Sequence, residues 1–157
     1  MAAPNAKNGY YPPVNFLFRV YFMAGASGSP EWTEDIYFQA VSGLTAQLQT
    51  ESIKEGGENR FEHVVPTRAK FGDLVLKRGI YTAKSPLTKW IQDAVLNFVF
   101  EPKNIQVQLL GEDQQPLMVW NIFHAWPKNW KIDELNAEQG KVLIETLELS
   151  YNNFTMS

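Results

Sequence analysis

From Val14 to Phe22 the chain alternates, with Val14, Phe16, Phe18, Val20 and Phe22 on one side and Asn15, Leu17, Arg19 and Tyr21 on the other. That is the period of a β-strand, one face apolar and one mixed. The period returns over short segments along the chain: about Ile36–Val41, Leu44–Lys54, Gly72–Tyr81, Ile105–Leu110, Leu117–Phe123 and Lys141–Tyr151, with a short further strand at Trp130–Ile132. Ser42-Gly43 separates two of these strands, Gly111-Glu112-Asp113-Gln114-Gln115-Pro116 reads as a hairpin turn, and Ala125-Trp126-Pro127 reads as a break. In Val142-Leu143-Ile144 both faces are apolar, which predicts a bulge or burial on both sides. Asp133–Gln139 is polar and has room for a helical turn.

A single segment has helical spacing. Ser85 is placed to cap it, Pro86 suits its first turn, and Leu87, Trp90, Ile91, Ala94, Val95 and Phe98 form one apolar stripe that ends before Pro102. Seven or eight strands and one helix predict a mainly β domain, an antiparallel barrel or sandwich with the helix packed against it. At 157 residues the chain suits one domain spanning 1–157, and a core of that size buries about 68–70% of the unfolded surface without metal or disulfide.

Composition narrows the function classes. There is no cysteine, which removes thiolate catalysis, disulfides and cysteine-based zinc sites. The 14 basic residues are dispersed among 17 acidic ones, for a net charge of −3, and form no basic stripe of the kind a specific nucleic-acid binder uses. No apolar run precedes Tyr10 and none is long enough to span a membrane, so neither a secretory signal nor membrane insertion is expected. His63 and His124 lack metal-ligand spacing, and although His63 lies near Glu58 and Glu62, no catalytic residue, metal ligand or cofactor-binding residue is assigned. Neither a G-x-S-x-G elbow nor a phosphate-binding glycine loop occurs.

Aromatic residues make up 13% of the chain, a load that an assembling subunit uses more readily than a monomer. Two segments stand out as surfaces. Thr45, Gln47, Gln49 and Glu51 make a wholly polar face on a strand whose other face carries Leu44, Ala46 and Leu48; such a face suits ordinary solvent or a water-filled channel. The segment 55–70 reads as a long loop or bent hairpin around Gly56 and Gly57, and beside Arg60 it carries Phe61, Val64 and Val65, apolar residues that need something to pack on. Residues 1–13 read as an arm stiffened at Tyr10-Tyr11-Pro12-Pro13.

From Tyr11 to its end the sequence resembles the phage tail-tube family, typified by the tube protein of T4-like contractile tails. The resemblance is carried by Pro12-Pro13-Val14-Asn15-Phe16, by Phe38-Gln39-Ala40-Val41-Ser42-Gly43-Leu44, and by Leu74-Val75-Leu76-Lys77-Arg78-Gly79. The helix with Trp90, Val107-Gln108-Leu109-Leu110, Trp120-Asn121, Ala125-Trp126-Pro127 and Glu145-Thr146-Leu147-Glu148-Leu149 follow in order. It implies a non-enzymatic structural subunit forming hexameric rings that stack into a hollow inner tube, with a sheath, tube paralogues and a baseplate or spike as partners. It also implies synthesis in a bacterial cytoplasm, then incorporation in a phage tail or phage-like injection particle. Tyr10, Tyr11, Pro12, Pro13, Gly56, Gly57, Arg60 and Phe61 are then expected at subunit contacts, and Thr45, Gln47, Gln49 and Glu51 at the lumen. The segment Ile53–Phe61 and the close at Tyr151-Asn152-Asn153-Phe154 look more like tube paralogues of injection-system clusters, so principal tube and baseplate-proximal initiator both stand. A monomeric β-barrel ligand-binding module is the alternative from another class.

Overall fold

The computed structural model describes residues 17–24, 28–32, 37–54, 56–57, 62–80, 85–138 and 140–157. The beginning of the expected first strand, Val14–Phe16, and the Tyr10–Pro13 arm lie outside them. Ten strands and one helix follow in the order β1 Leu17–Met23, β2 Tyr37–Phe38, β3 Ala40–Ser42, β4 Ala46–Ile53, β5 His63–Phe71, β6 Leu74–Gly79, α1 Pro86–Asn97, β7 Lys103–Leu110, β8 Pro116–Ile132, β9 Ile144–Ser150 and β10 Asn153–Met156. Eight strands make one sheet, ordered β2-β1-β7-β8-β9-β6-β3 with β10 on β8, while β4 and β5 pair only with each other. The sheet is open, not a closed barrel, and folds over itself as a sandwich because β8 belongs to both halves. Its first part pairs with β7 and β10, and from Trp126 to Ile132 it pairs with β9.

The expected break at Ala125-Trp126-Pro127 is therefore a bend within one strand. His124 turns to φ 56, and the register slips between Lys103 and Ile105 on β7 and between Pro127 and Asn129 on β8. Irregularities of this kind let a strand change direction without ending. Other boundaries also move. The strand expected at Ile36–Val41 splits into β2 and β3, one on each half of the sandwich. Residues 133–138 form no helix. Val142 lies exposed ahead of β9, outside the sheet, so its apolar run marks neither bulge nor burial. A last strand, β10, lies past the expected end at Tyr151.

Alternation sets the core. Val20 and Phe22 of β1, Ile105 and Val107 of β7, Leu74 and Leu76 of β6, and Leu147 and Leu149 of β9 all point into it. The helix closes one side with Leu87, Trp90, Ile91 and Ala94. Ser85 caps it, accepting the Thr88 amide at 3.2 Å, and Phe98 ends it in the left-handed conformation at φ 59. Trp90 meets Phe22 edge-on at 5.7 Å, with Trp32 beside both, and its indole N–H donates to the Glu101 carbonyl at 2.8 Å. Such rings stabilise by buried area and add somewhat more through their geometry.

Among the described residues one ion pair is buried on both sides. Arg78 of β6 donates from Nε to Glu145 of β9 at 2.8 Å, each side chain being about 4% exposed. The second Glu145 oxygen accepts from Trp130 Nε1 at 2.6 Å, and the Arg78 guanidinium also reaches the Ser85 hydroxyl and the Phe38 ring. One network thus ties β6, β8, β9 and the helix cap. Removing a partner leaves a desolvated charge, so Glu145→Ala is expected to cost about 3–5 kcal/mol in a urea titration. Glu145→Gln retains an acceptor for Trp130 and should cost less.

Candidate functional site: the β4–β5 ribbon

The two-stranded ribbon is the one part of the described chain that stands outside the sandwich. β4 continues β3 beyond Gly43, and β5 runs into β6 through Gly72 and Asp73. Of the segment expected as a long loop or bent hairpin, the described part fits the hairpin: residues 63–71 pair with 46–53, and Gly56-Gly57 sits in a turn. Sequence alternation missed β5 because Pro66 interrupts it and because a bulge shifts its phase. Leu48 faces Ala69 and Thr50 faces Pro66, so β5 carries one more residue there than β4. Thr67 fills the irregularity by donating its hydroxyl to the Gln49 carbonyl at 3.1 Å.

The pairing sorts the side chains. Ala46, Leu48, Thr50 and Ser52 share a face with Phe71, Ala69, Pro66 and Val64. Gln47 lies opposite Lys70, Glu51 opposite Val65, and Ile53 opposite His63 on the other face. Thr45, Gln47, Gln49 and Glu51 are all exposed, as expected, but the polar face gives way to Ile53 and Val65 towards the tip. The apolar face is continuous with the core through Leu44 and Phe71, which pack against it. Beyond that root it is uncovered: Leu48 is 63% and Val64 60% exposed. Every residue of β4 is exposed, so the ribbon is wet on both sides. A second exposed apolar group lies at the end of α1, where Leu96, Phe98, Val99 and Phe100 face outward.

The root of the ribbon is tight. Gly43 adopts φ +88, and a Cβ there would run into the Asp73 carbonyl; one at Gly72 would meet the Thr45 hydroxyl. The Thr45 amide donates to the Gly43 carbonyl at 2.9 Å and the Gly72 amide to the Thr45 carbonyl at 3.1 Å. The Tyr151 hydroxyl donates to the same Gly43 carbonyl at 3.0 Å, and its ring packs with Phe71 and Phe154. Lys128 holds Asp73 at 2.7 Å. Sequence reading did not assemble this group, whose members lie far apart along the chain; the Ser42-Gly43-Leu44 motif is the part of it that was visible.

Of the other expected contact residues, Gly56 and Gly57 have open space around them, while Tyr10, Tyr11, Pro12, Pro13, Arg60 and Phe61 lie outside the described residues. No group of three potential metal ligands occurs among the described residues. His63 sits on β5 and His124 at the bend of β8. Glu62 pairs with Lys54 at 3.6 Å in the open. A hollow of ≈ 220 Å³ lies over Asn104, Gln106, Asn121 and Ile122, below the roughly 300–1,000 Å³ usual for ligand pockets. No described helix is long and apolar enough to cross a membrane.

Residues 14–155 match the family described as T4-like virus tail tube protein gp19. The chain is also similar to one from the anti-feeding prophage baseplate, 6-fold symmetrised, at 35% identity and a TM-score of 0.81, with 94% of this chain and 96% of that one covered. It shares 23% identity and a TM-score of 0.77 with a chain of the PVC sheath–tube complex of an extracellular contractile injection system, covering 99% of each. With Hcp1 from Flavobacterium johnsoniae the figures are 17% and 0.51, over 90% of this chain and 95% of that one. The latter two show a shared fold. No curated protein matches the chain.

Two outcomes are expected from the root and the open ribbon. Burial, chiefly, pushes the Tyr151 phenol above its ordinary 10.0; a Thr45 backbone hydrogen bond opposes the shift and the Asp73 charge adds to it. A hydrogen bond to Asp73, then its charge, raises Lys128 above 10.5. Both folded values exceed the unfolded ones, so these groups stabilise fully below the ordinary values and lose that contribution as pH rises through the raised ones. In an alkaline absorbance titration, the difference between wild type and Tyr151→Phe should have its midpoint above that of the ordinary tyrosines. Leu48→Ser and Val64→Ser, at exposed positions, should change the isolated chain's unfolding free energy by no more than about 0.5 kcal/mol.

Proposed function

The chain belongs to the T4-like virus tail tube protein gp19 family, and we propose that it forms hexameric rings that stack in the inner tube of a contractile injection particle, at the baseplate-proximal end. Its work is structural: surfaces that assemble, and a bore that stays open. The β4–β5 ribbon carries this reading. An isolated two-stranded hairpin is marginal in water, yet this one extends an apolar face directly from the core with Leu48 and Val64 exposed on it and no other described strand paired to it. A neighbouring copy is the economical cover, since a head-to-tail contact repeated around a ring satisfies every ribbon and every strand edge at once.

On this reading the apolar face packs on the next subunit, and the face with Thr45, Gln47, Gln49 and Glu51 lines the lumen. Lys77, Thr146 and Lys131 form a row across the adjoining sheet. They alternate with the buried Leu76 and Leu147, so they point away from the core and extend the same wet wall. Gly56 and Gly57, with Arg60, Phe61 and the Tyr10–Pro13 arm, would serve contacts within and between rings. The 35% identity with the baseplate chain, against 23% with the sheath–tube chain, favours a place beside the baseplate, where sheath and spike proteins are the further partners.

Electron microscopy of the purified chain should show rings or short stacks of uniform bore. Tubes of indefinite length would instead make it the principal tube protein. A Leu48→Asp/Val64→Asp double variant should stay folded by circular dichroism yet sediment as a monomer. A wild-type chain that remains monomeric at high concentration, and is stabilised by a small ligand, would overturn the proposal in favour of a binding module.

A further inference from the structure

We infer that Tyr151 is a positioning residue for assembly: by holding the Gly43 carbonyl it fixes the direction in which the β4–β5 ribbon leaves the sandwich. This rests on the ribbon being an assembly surface. The ribbon pairs with no other described strand, and it connects to the sandwich through two short links, residues 43–45 and 72–73. A ribbon so attached would swing unless its root were held, and every orientation it sampled would have to be frozen on docking. Affinity is gained when such freedom is removed beforehand.

The geometry at the root does this from the sandwich side. Tyr151 lies between β9 and β10 and is itself buried. Its hydroxyl crosses to the Gly43 carbonyl at 3.0 Å, a bond between residues 108 positions apart. The same carbonyl accepts the Thr45 amide at 2.9 Å, so one oxygen gathers the sandwich and the last residue of the outgoing link. Opposite, Phe71, the last residue of β5, packs at 6.1 Å from the Tyr151 ring and 5.7 Å from Phe154. Both strands of the ribbon are therefore held at their base by one side chain: β4 through its hydroxyl and β5 through its ring. Glycine is required at position 43 because the Asp73 carbonyl occupies the place of a Cβ, which brings the two links together beneath the hydroxyl. Lys128 fixes the far side of that contact through Asp73.

Tyr151→Phe separates the two roles of the side chain, retaining the ring packing and deleting the bond to Gly43. Hydrogen exchange on the variant, at a concentration where it is monomeric, should quicken roughly five- to tenfold across residues 46–53 and 63–71. Amides of β7, around Val107, should keep their wild-type rates. The concentration for half-maximal ring formation, measured by light scattering and electron microscopy, should rise at least about threefold. Equal acceleration in β7 and the ribbon would make Tyr151 an ordinary core residue and overturn the inference, as would an unchanged ribbon, or a looser ribbon with unaltered assembly. A wild type that never assembles would remove the ring reading and the assembly role with it, while the exchange pattern would still decide whether Tyr151 holds the ribbon.

Discussion

The bend in β8 is the constraint on which the rest of this fold depends. A 17-residue strand is too long to follow one twisted sheet across a domain of this size, and it turns at His124–Asn129 to enter the other half of the sandwich. That single passage brings the inward faces of β1 and β7 over those of β6 and β9. The helix then has a side to close, the Arg78–Glu145 pair has a low-dielectric setting, and Tyr151 comes to rest beside the links of the ribbon. Register slips at Lys103/Ile105 and Pro127/Asn129 are what permit the turn without loss of pairing.

The ribbon inverts the usual relation between core and surface. In β1, β6, β7 and β9 the alternation of apolar residues ends in burial, but along β4 it carries apolar side chains out from Leu44 to an exposed Leu48. In the proposed ring, association with the next subunit completes that unfinished face. Rigidity at the root matters for the same reason: an apolar surface held in one direction can meet a copy of itself in register, whereas a swinging one invites irregular contacts.

Much of the fold was legible in the sequence, for reasons that particular residues make plain. The helix and its inward residues Leu87, Trp90, Ile91 and Ala94 were readable because cap and stripe are local signals, although Val95 and Phe98 of the expected stripe are exposed, Phe98 as the left-handed cap. The inward faces of β1 and β9 were readable from period two. The polar side of β4 was equally clear, with Thr45, Gln47, Gln49 and Glu51 all exposed. What failed were features set by partners distant in sequence. Pro127 reads as a break, yet it lies within β8 because β9 continues to pair around it. Pro66 and the bulge concealed β5, and Asn153–Met156 became a strand only because β8 offers it an edge.

The sequence by itself determined that this is a mainly β chain with one helix, without thiol chemistry, matching one family over residues 14–155. It did so because alternation, caps and composition are properties of neighbouring residues. Only the tertiary structure decided that the strands of 46–53 and 63–71 stand apart as an amphipathic ribbon, and that Tyr151, Gly43, Phe71 and Lys128 meet at its base. Those contacts join residues as much as 108 positions apart. No local pattern encodes them; they exist because the bend of β8 and the packing of the two sheet halves bring the pieces together.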